Sequence, residues 1–588
     1  MKKLTALLRK HGLFFVFAFT IFLKVVVFRM ATAHVDKWQE LLTYPTFFFI
    51  SWFGKVLPAV IIASFVYLCH RHQWWTIVFS LVIDVWIVAN LFYFKANGLY
   101  LTYEAMTMAG NLHGFENSLL ALLGWDVYII PLITLGYVFL YFFLRLGHRQ
   151  KQSIKCGLAW IFSFLLLDCV SNYTYWYNPF VFPDTSFKEK ITKAWPFGLV
   201  YQDAHVCLFG VDGFAKEYMY YQSVLSYFPA SILYHIWGPH DYGKLIELKD
   251  DEFNFVDTVF GKPMSEIHPQ HNLVFILVES LESWPMSSEV NSSMPHLSEL
   301  AKSSHVFYAD RVRSQIRHGI SGDGQLICMT GLLPVERGAA CFLYGENAYP
   351  NFASSFVSSA ILDPCMDAWN QKKMTRCYGF QNLFEPDDYV MCDAEIMAKT
   401  ADYVTSGLTE PFCVLGITIS SHFPFVADKA HSRLYDAEMP QLMSNYLNCL
   451  TYADSCVSLV VESVLKSSLA DNTIIVITGD HTAFRSEGFS DLDSYASAKG
   501  IPFKANHNYV PLIIYSPDIE RNEYLHDEVY QMDIFPTVCA MLDSTVHNPS
   551  FGVNLRDSVA RQHRPISEEE AYRMSDLIIR SNYFGLQK

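Results

Sequence analysis

Charged side chains are scarce in this chain. Asp, Glu, Lys and Arg make up 17% of the 588 residues, and 58 acidic residues outnumber 43 basic ones. The formal net charge of −15 argues against a general nucleic-acid binder, which needs a basic surface for phosphates. None of the 13 cysteines forms a C-x-x-C pair, so neither a zinc knuckle nor a dithiol redox motif is indicated. Internal repeats and low-complexity tracts are also lacking. The 51% hydrophobic content excludes a disordered chain.

Charge and hydrophobicity are unevenly distributed along the sequence. Residues 1–174 contain 14 Lys and Arg against 7 Asp and Glu, whereas the remaining residues contain 29 against 51. A helix needs about 20 mostly apolar residues to cross a bilayer. Five stretches of the basic part approach this pattern: 13–31, 46–69, 74–94, 128–146 and 156–170. Their few polar residues argue against buried helices of a soluble protein, and four spans after the first argue against a cleaved signal peptide. The sequence predicts a five-helix transmembrane domain over residues 1–174.

Basic residues in the short flanks of these spans predict the orientation of the domain. They are Lys2, Lys3, Arg9 and Lys10 before the first span, Arg71 between the second and third, and Arg145, Arg149, Lys151 and Lys155 between the fourth and fifth. Basic flanks lie on the cytoplasmic side, so the N-terminus is predicted to be cytoplasmic. With an odd number of spans, the chain after about Ser171 is predicted to be extracytoplasmic. Residues 175–265, rich in Tyr and Trp at their start, are interpreted as a juxtamembrane linker with amphipathic helices.

Three charged residues fall inside the predicted spans: Lys24, Lys55 and Asp84. Charges are costly in lipid, so they could line a polar groove or contact lipid headgroups. Pairing between helices, or snorkelling to the interface, is the alternative interpretation.

From about His271, short apolar runs alternate with polar, helical stretches, a pattern typical of an α/β sheet covered on both faces. Three of these runs lead into reactive side chains: residues 272–278 stop at Glu279, residues 413–419 lead into Ser420-Ser421-His422, and residues 473–478 stop at Gly479-Asp480-His481. Parallel strands present their carboxyl ends at one edge of the sheet, so Glu279, His422 and Asp480-His481 are expected to converge. One such carboxylate is often only a helix N-cap, so the prediction depends on the combination.

A fourth element lies in residues 317–326. There Ser321 stands between Ile320 and Gly322, just before an apolar run that resembles the start of a helix. A hydroxyl in that position lies near unpaired backbone N–H groups and the positive end of the helix, which favours an anionic phosphate. A plain Ser/Gly turn with an N-cap remains the alternative.

Taken in chain order, these segments resemble a known family. The segments are Val278-Glu279-Ser280, Gly319-Ile320-Ser321-Gly322-Asp323, residues 419–425 (ISSHFPF) and Gly479-Asp480-His481. Together they are similar to the lipoteichoic acid synthase and phosphoglycerol transferase group of the alkaline phosphatase/sulfatase superfamily. Five spans followed by an extracytoplasmic catalytic domain are also the architecture of that family. The resemblance implies an α/β sulfatase-like domain over residues 266–588, in a multi-pass protein of the bacterial cytoplasmic membrane.

The resemblance also implies roles for particular residues. One divalent metal would be held by Glu279, Asp480, His481 and the Ser321 hydroxyl, with Ser321 also the catalytic nucleophile. Mn²⁺ is the expected ion, with Zn²⁺ or Mg²⁺ as alternatives; three oxygen ligands and one imidazole suit Mn²⁺ or Zn²⁺. Further substrate contacts would come from His422, Trp369 and Asn370. The implied partners are the membrane, a phospholipid donor and a glycan or lipid acceptor, with no nucleic acid.

Three positions depart from the family pattern. Ser321 stands where the best-known members have Thr, a change that preserves the chemistry. Gly322-Asp323-Gly324-Gln325 replaces Ser-Asp-Ser-Glu, which reduces the local hydrogen bonding. Gln371 replaces the arginine of a Trp-Asn-Arg element, which removes a bidentate phosphate contact that Lys372 or Arg376 could supply.

Several functions stay open on the sequence alone. Phosphoglycerol transfer through a phosphoserine is the leading one. Phosphoethanolamine transfer is kept because relatives with that activity are often disulfide-linked, and Cys328 with Cys341, or Cys365, Cys377 and Cys392 among themselves, are candidate pairs. A sulfatase-like phosphodiesterase and a non-catalytic lipid-binding sensor or scaffold also stay open. Sulfate-ester hydrolysis is not indicated, because the C/S-x-P-x-R context of formylglycine is missing at Ser321 and Cys328.

Overall fold

A computed structural model of the protein describes most of the chain. The described residues are 2–32, 45–69, 72–97, 99–107, 123–146, 153–176, 223–237, 243–260, 267–290, 293–387, 390–423, 425–426, 435, 438–485, 489–505, 507–545 and 550–586. They divide into two compact units, one of residues up to 237 and one of residues from 243 onwards. The predicted domain limits at 174 and 265 stay predictions. Much of the predicted linker, 175–265, lies outside the described residues.

All the regular secondary structure in the described residues of the first unit is helical. Its helices are α1 (Lys2–Thr32), α2 (Pro45–Ala63), α3 (Phe65–Leu68), α4 (Trp75–Asn97), α5 (Tyr103–Thr107), α6 (Trp125–Phe143), α7 (Ile154–Trp176) and α8 (Val224–Trp237). Helix α1 has a non-helical residue at His11. Helix α1 packs against α2, α4 and α6, and α2 packs against α7.

Three of these helices are long and apolar enough to cross a membrane: His11–Thr32, Trp75–Ala96 and Trp125–Phe143. The second and fifth predicted spans correspond to shorter apolar helices, Gly54–Leu68 and Ile154–Leu167. Helices suit such segments because every backbone N–H and C=O inside the helix is paired within it. An apolar, helical N-terminal region is therefore present, while the count of five spans and the orientation stay predictions.

Two of the three charged residues in the predicted spans, Lys24 and Asp84, pair between helices. Lys24 Nζ lies 2.6 Å from Asp84 Oδ1, and the same ammonium donates to Ser80 Oγ at 2.6 Å. Thr134 Oγ1 donates to the other oxygen of Asp84 at 2.6 Å. Lys24 is fully buried, so this network joins α1, α4 and α6 in the interior of the unit. Pairing is therefore the interpretation that holds for Lys24 and Asp84. Lys55 is also buried.

The second unit contains a nine-stranded sheet within its described residues. The strands are β1 (Asn272–Val278), β2 (Val306–Arg313), β3 (Ser358–Leu362), β4 (Asn382–Phe384), β5 (Phe412–Ile417), β6 (Thr473–Gly479), β7 (Tyr509–Tyr515), β8 (Glu523–Leu525) and β9 (Val529–Tyr530). Their order is β4-β3-β5-β1-β6-β7-β2-β8, with β9 paired to β2. Strands β4, β3, β5, β1 and β6 are parallel, whereas β7 is antiparallel to β6 and β2.

Helices surround this mixed sheet. They are α9 (Asp250–Phe260), α10 (Pro295–Leu300), α11 (Ile320–Thr330), α12 (Ala340–Leu343), α13 (Gln371–Cys377), α14 (Asp393–Asp402), α15 (Gln441–Leu465), α16 (Ser490–Lys499), α17 (Ile534–Leu542), α18 (Ser558–Gln562), α19 (Glu568–Ser581) and α20 (Tyr583–Leu586). Every residue of β1, β5 and β6 is buried. Successive side chains of a strand point to opposite faces, so both faces of the central sheet are covered. The α/β prediction is confirmed for this unit.

Cys328, Cys341, Cys365, Cys377 and Cys392 each carry a free thiol. The candidate disulfides among these five residues are therefore absent. The cysteine-based argument for phosphoethanolamine transfer loses its support, although the alternative itself is not tested by this observation.

The buried ion pair gives a test of how the first unit is held together. Asp84→Leu alone leaves the Lys24 ammonium buried without its counter-ion, a loss that costs about 3–5 kcal/mol in buried pairs. The double change Lys24→Met with Asp84→Leu removes both charges and is expected to regain most of the stability. Thermal unfolding of the detergent-solubilised full chain measures each variant. Lys24→Met alone is the second single variant. If the losses of stability in Asp84→Leu and Lys24→Met simply add in the double variant, the pair does not couple the helices.

Candidate active site

The carboxyl ends of β1 and β6 bring two acids side by side. Their register pairs Val278 with Gly479, so the following residues, Glu279 and Asp480, are neighbours at the edge of the sheet. Both side chains are at least 96% buried. Burial, and next the charge of Asp480, raise the pKa of Glu279 well above its ordinary value. The sheet thus holds two carboxyl groups whose negative charges oppose each other.

Backbone amides fix the position of Asp480. Its Oδ1 atom accepts hydrogen bonds from the backbone N–H groups of Ser280 and His481, both at 2.8 Å. Ser280 has a left-handed backbone, with φ +54°, and its hydroxyl donates to Glu279 Oε1 at 2.7 Å. The turn after β1 is therefore tied to the turn after β6, and Oδ2 of Asp480 is left facing the site.

The imidazole of His481 completes a group of candidate ligands. Its Nδ1 lies 3.0 Å from the Thr482 carbonyl oxygen, which can only accept, so Nδ1 carries the proton. Burial lowers the pKa of His481 to about 4, so the ring is neutral and its Nε2 is unprotonated. Nε2 lies 3.4 Å from Glu279 Oε1 and 3.5 Å from Asp480 Oδ2. Potential ligand atoms of the three residues all lie within 4.8 Å of one another.

Ser321 lies at the start of α11, and its hydroxyl joins this cluster. Its Oγ is 3.1 Å from His481 Nε2 and 3.4 Å from Glu279 Oε2, and the side chain is only partly buried. The helix can approach this closely because of Gly324, where a Cβ would lie 2.3 Å from the Asp480 carbonyl oxygen. Gly324, one of the residues that depart from the family pattern, is thus required because α11 contacts the turn after β6 at this position.

The four donors fit one divalent cation. Two carboxylates, a hydroxyl and a neutral imidazole are ligands suited to Mn²⁺ or Zn²⁺. A cation between Glu279 and Asp480 would also reverse the unfavourable effect of placing two buried acids together. The predicted ligand set is therefore brought together by the fold, while the identity of the metal and the role of each residue stay predictions.

His422 follows β5 and is tied to the same edge. Asp393 Oδ1 accepts from the backbone N–H groups of Ile419 and Ser420, at 2.7 and 3.1 Å. Ser421 Oγ donates to the Glu279 carbonyl oxygen at 2.5 Å. His422 Nδ1 lies 2.7 Å from the Phe423 carbonyl oxygen, so its neutral ring also carries the proton on Nδ1. Burial is the main cause that lowers the pKa of His422.

The predicted substrate residues Trp369 and Asn370 lie in a loop with unusual backbone angles. Asp367, Trp369 and Asn370 have φ values of +50°, +51° and +58°. A Cβ added at Gly322 would lie 3.1 Å from the Trp369 ring, so the indole covers the first turn of α11. Asn370 Nδ2 donates to the Cys341 carbonyl oxygen at 2.6 Å, which anchors the loop. Trp369 thus lies against Gly322, the residue after Ser321, whereas the Asn370 amide nitrogen donates to the Cys341 carbonyl oxygen.

Three residues bear on the phosphate contact of the missing arginine, and no described contact connects any of them to the cluster. Gln371 is fully buried, and its amide has no hydrogen-bond partner among the residues that the structure describes. Lys372 Nζ pairs with Glu385 at 2.7 Å, and Arg376 is exposed at the last turn of α13. No described contact brings Lys372 or Arg376 to the cluster.

Arg485 is a site residue that the sequence analysis missed. Burial is the main cause that lowers the pKa of His422 and of His481, and the positive charge of Arg485 adds to it; for Asp323 burial raises the pKa, and Arg485 opposes that rise. The segment that carries it is fixed, because the Phe484 N–H donates to Glu282 Oε1 at 2.9 Å. The only signal in the sequence is its position four residues after His481.

Two family models match the chain. The lipoteichoic acid synthase N-terminal domain matches residues 1–180, and the sulfatase model matches residues 345–544. The second match includes Trp369, Asn370, His422, Asp480 and His481, whereas Glu279 and Ser321 precede it.

Curated relatives agree with both models. The chain is 24% identical over 319 residues to the lipoteichoic acid synthase-like YvgJ of Bacillus subtilis, covering 49% of this chain and 50% of that protein. It is 23% identical over 325 residues to lipoteichoic acid synthase 2 of Bacillus subtilis, covering 50% and 48%. It is 18% identical over 513 residues to the lipoteichoic acid synthase of Staphylococcus aureus, covering 82% and 74%. The chain spans about half the length of the first two.

Two solved structures are among those similar to the chain. The lipoteichoic acid synthase LtaP of Listeria monocytogenes has a TM-score of 0.44 and 17% identity, covering 51% of this chain and 80% of that one. The phosphoglycerol transferase GacH of Streptococcus pyogenes, solved with sn-glycerol-1-phosphate, has a TM-score of 0.41 and 13% identity, covering 58% and 94%.

The sheet, the acid and histidine cluster and the match of the sulfatase model describe a second unit that is similar to sulfatase-like domains. More particularly, residues 1–180 match the N-terminal domain of the lipoteichoic acid synthases as well, and the predicted resemblance to that group is confirmed.

The cluster predicts which carboxylate changes remove metal binding. Asp480→Asn takes away one charged ligand and is expected to weaken Mn²⁺ binding about 100-fold or more, since even outer contacts of metal ligands are worth 10–100-fold. Titration calorimetry on the full chain, after a chelator has removed bound metal, measures the affinity for Mn²⁺. Asp310→Asn, at a carboxylate elsewhere in the second unit, serves as the control. Equal affinities of Asp480→Asn and the control would exclude Asp480 as a ligand.

Proposed function

We propose that the protein is a metal-dependent transferase that moves a phosphoglycerol group from a membrane phospholipid to a glycan or lipid acceptor. The observation that carries this proposal is the position of the Ser321 hydroxyl, 3.1 Å from His481 Nε2 and 3.4 Å from Glu279 Oε2, at the edge of a buried sheet. A partly exposed hydroxyl among buried metal ligands suits a nucleophile that must meet an external phosphodiester. The curated relatives are named lipoteichoic acid synthases, and the resemblance to that group implies phosphoglycerol as the transferred group.

The residues of the chain divide the chemistry between them. Glu279, Asp480, His481 and the Ser321 oxygen would hold one divalent cation, which supplies Lewis acidity at phosphorus and makes the serine easier to deprotonate. Ser321 Oγ forms a bond to phosphorus while the bond from phosphorus to the lipid oxygen breaks, giving phosphoserine and diacylglycerol. An acceptor hydroxyl then displaces Ser321 and takes the phosphoglycerol group.

Proton transfer in both halves is assigned to His422. In the first half the Ser321 proton ends on the leaving lipid oxygen, and in the second the acceptor proton returns to Ser321. His422 is assigned this role because its Nδ1 is hydrogen-bonded to the Phe423 carbonyl oxygen, which leaves Nε2 as the unprotonated nitrogen of the neutral ring. Trp369 covers the start of α11 and would exclude water from the phosphoserine.

The proposed setting is the bacterial cytoplasmic membrane, with the N-terminus in the cytoplasm and the sulfatase-like unit outside. The three apolar helices and the match to the lipoteichoic acid synthase N-terminal domain support the membrane location. The basic flanks support the orientation.

The nucleophile is tested by intact mass. The purified full chain is incubated with Mn²⁺ and either phosphatidylglycerol or phosphatidylethanolamine, and the adduct identifies the headgroup. We expect a phosphoglycerol adduct and released diacylglycerol with the wild type, and neither with Ser321→Ala, because the Ser280 hydroxyl, which also contacts Glu279, is buried, whereas Ser321 is partly exposed.

Ser406→Ala, at an exposed turn, is the matched control and should behave as the wild type. An adduct on Ser321→Ala would exclude Ser321 as the nucleophile. If the wild type forms no adduct and releases no diacylglycerol from either lipid, with Mn²⁺ or Zn²⁺, the non-catalytic lipid-binding function takes its place.

Arg485 is proposed to bind the phosphate of the donor. Replacing the guanidinium by the neutral amide in Arg485→Gln is expected to raise the KM for the lipid about 10- to 100-fold, the size of a lost charged hydrogen bond. Mn²⁺ affinity should stay unchanged. Lys372→Gln, at a cation paired with Glu385, is the control and should have the wild-type KM. A KM for Arg485→Gln equal to that of this control would contradict the assignment.

A further inference from the structure

The residue before the proposed nucleophile has a strained backbone. Ile320 has φ +45°, in the left-handed region that β-branched residues seldom adopt. Such a conformation is energetically unfavourable for a β-branched residue and persists only where its surroundings enforce it. Ile320 is also the first residue of α11, so its backbone angles set the direction in which Ser321 leaves the preceding loop.

The Asp323 carboxylate fastens this loop. Its Oδ2 atom accepts from the backbone N–H groups of Arg317 and Gly319, both at 2.9 Å. The side chain is 1% exposed, and nothing but glycine fits beside it, because a Cβ at position 319 would lie 2.1 Å from Oδ1. One buried oxygen thus holds two backbone amides immediately before the strained residue.

A second contact holds the same loop from outside. The Arg317 guanidinium lies over the Tyr572 ring at 4.1 Å, and the Tyr572 hydroxyl donates to the Gln315 carbonyl oxygen at 2.6 Å. These contacts place residues 315–317, but they do not reach Ile320. The hydrogen bonds of Asp323 to Arg317 and Gly319 bring the constraint to within one residue of it.

We propose that Asp323 is a positioning residue for Ser321. Its carboxylate holds residues 317–319 so that Ile320 keeps its left-handed conformation and Ser321 Oγ faces Glu279 and His481. The inference deepens the proposed function, because it rests on Ser321 as the reacting group. Asp323 itself touches neither the substrate nor the reacting atoms in this assignment.

Four variants of the full chain test the proposal. Asp323→Ala removes the acceptor, and kcat is expected to fall about 10- to 100-fold with little change in the KM for the lipid, since small misplacements of a nucleophile cost that much. Asp323→Asn keeps one oxygen that can accept both N–H groups, so it should retain most of the activity. Glycine adopts positive φ without steric cost, so adding Ile320→Gly to Asp323→Ala should restore at least part of kcat, and Ile320→Gly alone should stay active.

Asp454→Ala is the matched control. The Asp454 carboxylate is also fully buried and accepts two backbone N–H groups, of His296 at 3.0 Å and Leu297 at 2.8 Å, in a different part of the fold. Its removal should lower the thermal unfolding midpoint and leave kcat unchanged. The proposal is overturned if Asp323→Ala behaves like Asp454→Ala, or if Ile320→Gly restores nothing to a folded Asp323→Ala protein.

Hydrogen exchange without substrate separates this proposal from the proposed function. In the wild type the amides of Arg317 and Gly319 should exchange slowly, and in Asp323→Ala they should exchange faster, whereas Asp454→Ala leaves them protected. If the wild type transfers nothing but the exchange changes as expected, the transferase function fails and the positioning of the loop stands. Unchanged exchange in Asp323→Ala overturns the positioning role whatever the activity.

Discussion

Two buried carboxyl groups at adjacent strand ends are the constraint on which the site depends. The register of β1 with β6 leaves Glu279 and Asp480 as neighbours, with both side chains at least 96% buried. Burial penalises each charge, and each carboxylate opposes the other, so the arrangement is costly unless a cation or a proton compensates it. A fold that keeps such a pair beside a neutral imidazole is organised for binding a cation. The turns around the pair, and the helix that brings Ser321, are arranged to support it.

Carboxylates that accept backbone amides recur around this edge. Asp480 holds the turns after β1 and β6, Asp393 holds the turn after β5, and Asp323 holds the loop before α11. Each offers one oxygen to two N–H groups of a segment that leaves the regular structure, which satisfies amides that would otherwise be buried without partners. The loops that carry the reactive side chains are therefore positioned by buried acids rather than by packing alone. This arrangement keeps the geometry of the reactive groups fixed, as the proposed phosphoryl transfer requires.

The cationic contact that we propose for the phosphate lies in a different place from the one that the family pattern suggests. Gln371 is buried in place of the arginine, and Lys372 is paired with Glu385. Arg485 approaches from the segment after β6, where its charge is felt by both histidines. A guanidinium at either position could bind the same phosphate, because the interaction depends on charge and hydrogen-bond geometry rather than on which segment carries the arginine.

The strands of the central sheet and the reactive side chains that follow them could be predicted from the sequence. Apolar runs predicted the strands before Glu279, His422 and Asp480, because central parallel strands are buried on both faces. Parallel strands open at one edge, so the convergence of these residues followed as well. Other features of the site became known only from the tertiary structure. The left-handed backbone of Ile320, the two amides held by Asp323, the free thiols and the position of Arg485 all depend on contacts between distant segments, which local patterns do not encode. The pairing of Lys24 with Asp84 was one of several possibilities in the sequence, and helix packing selected it.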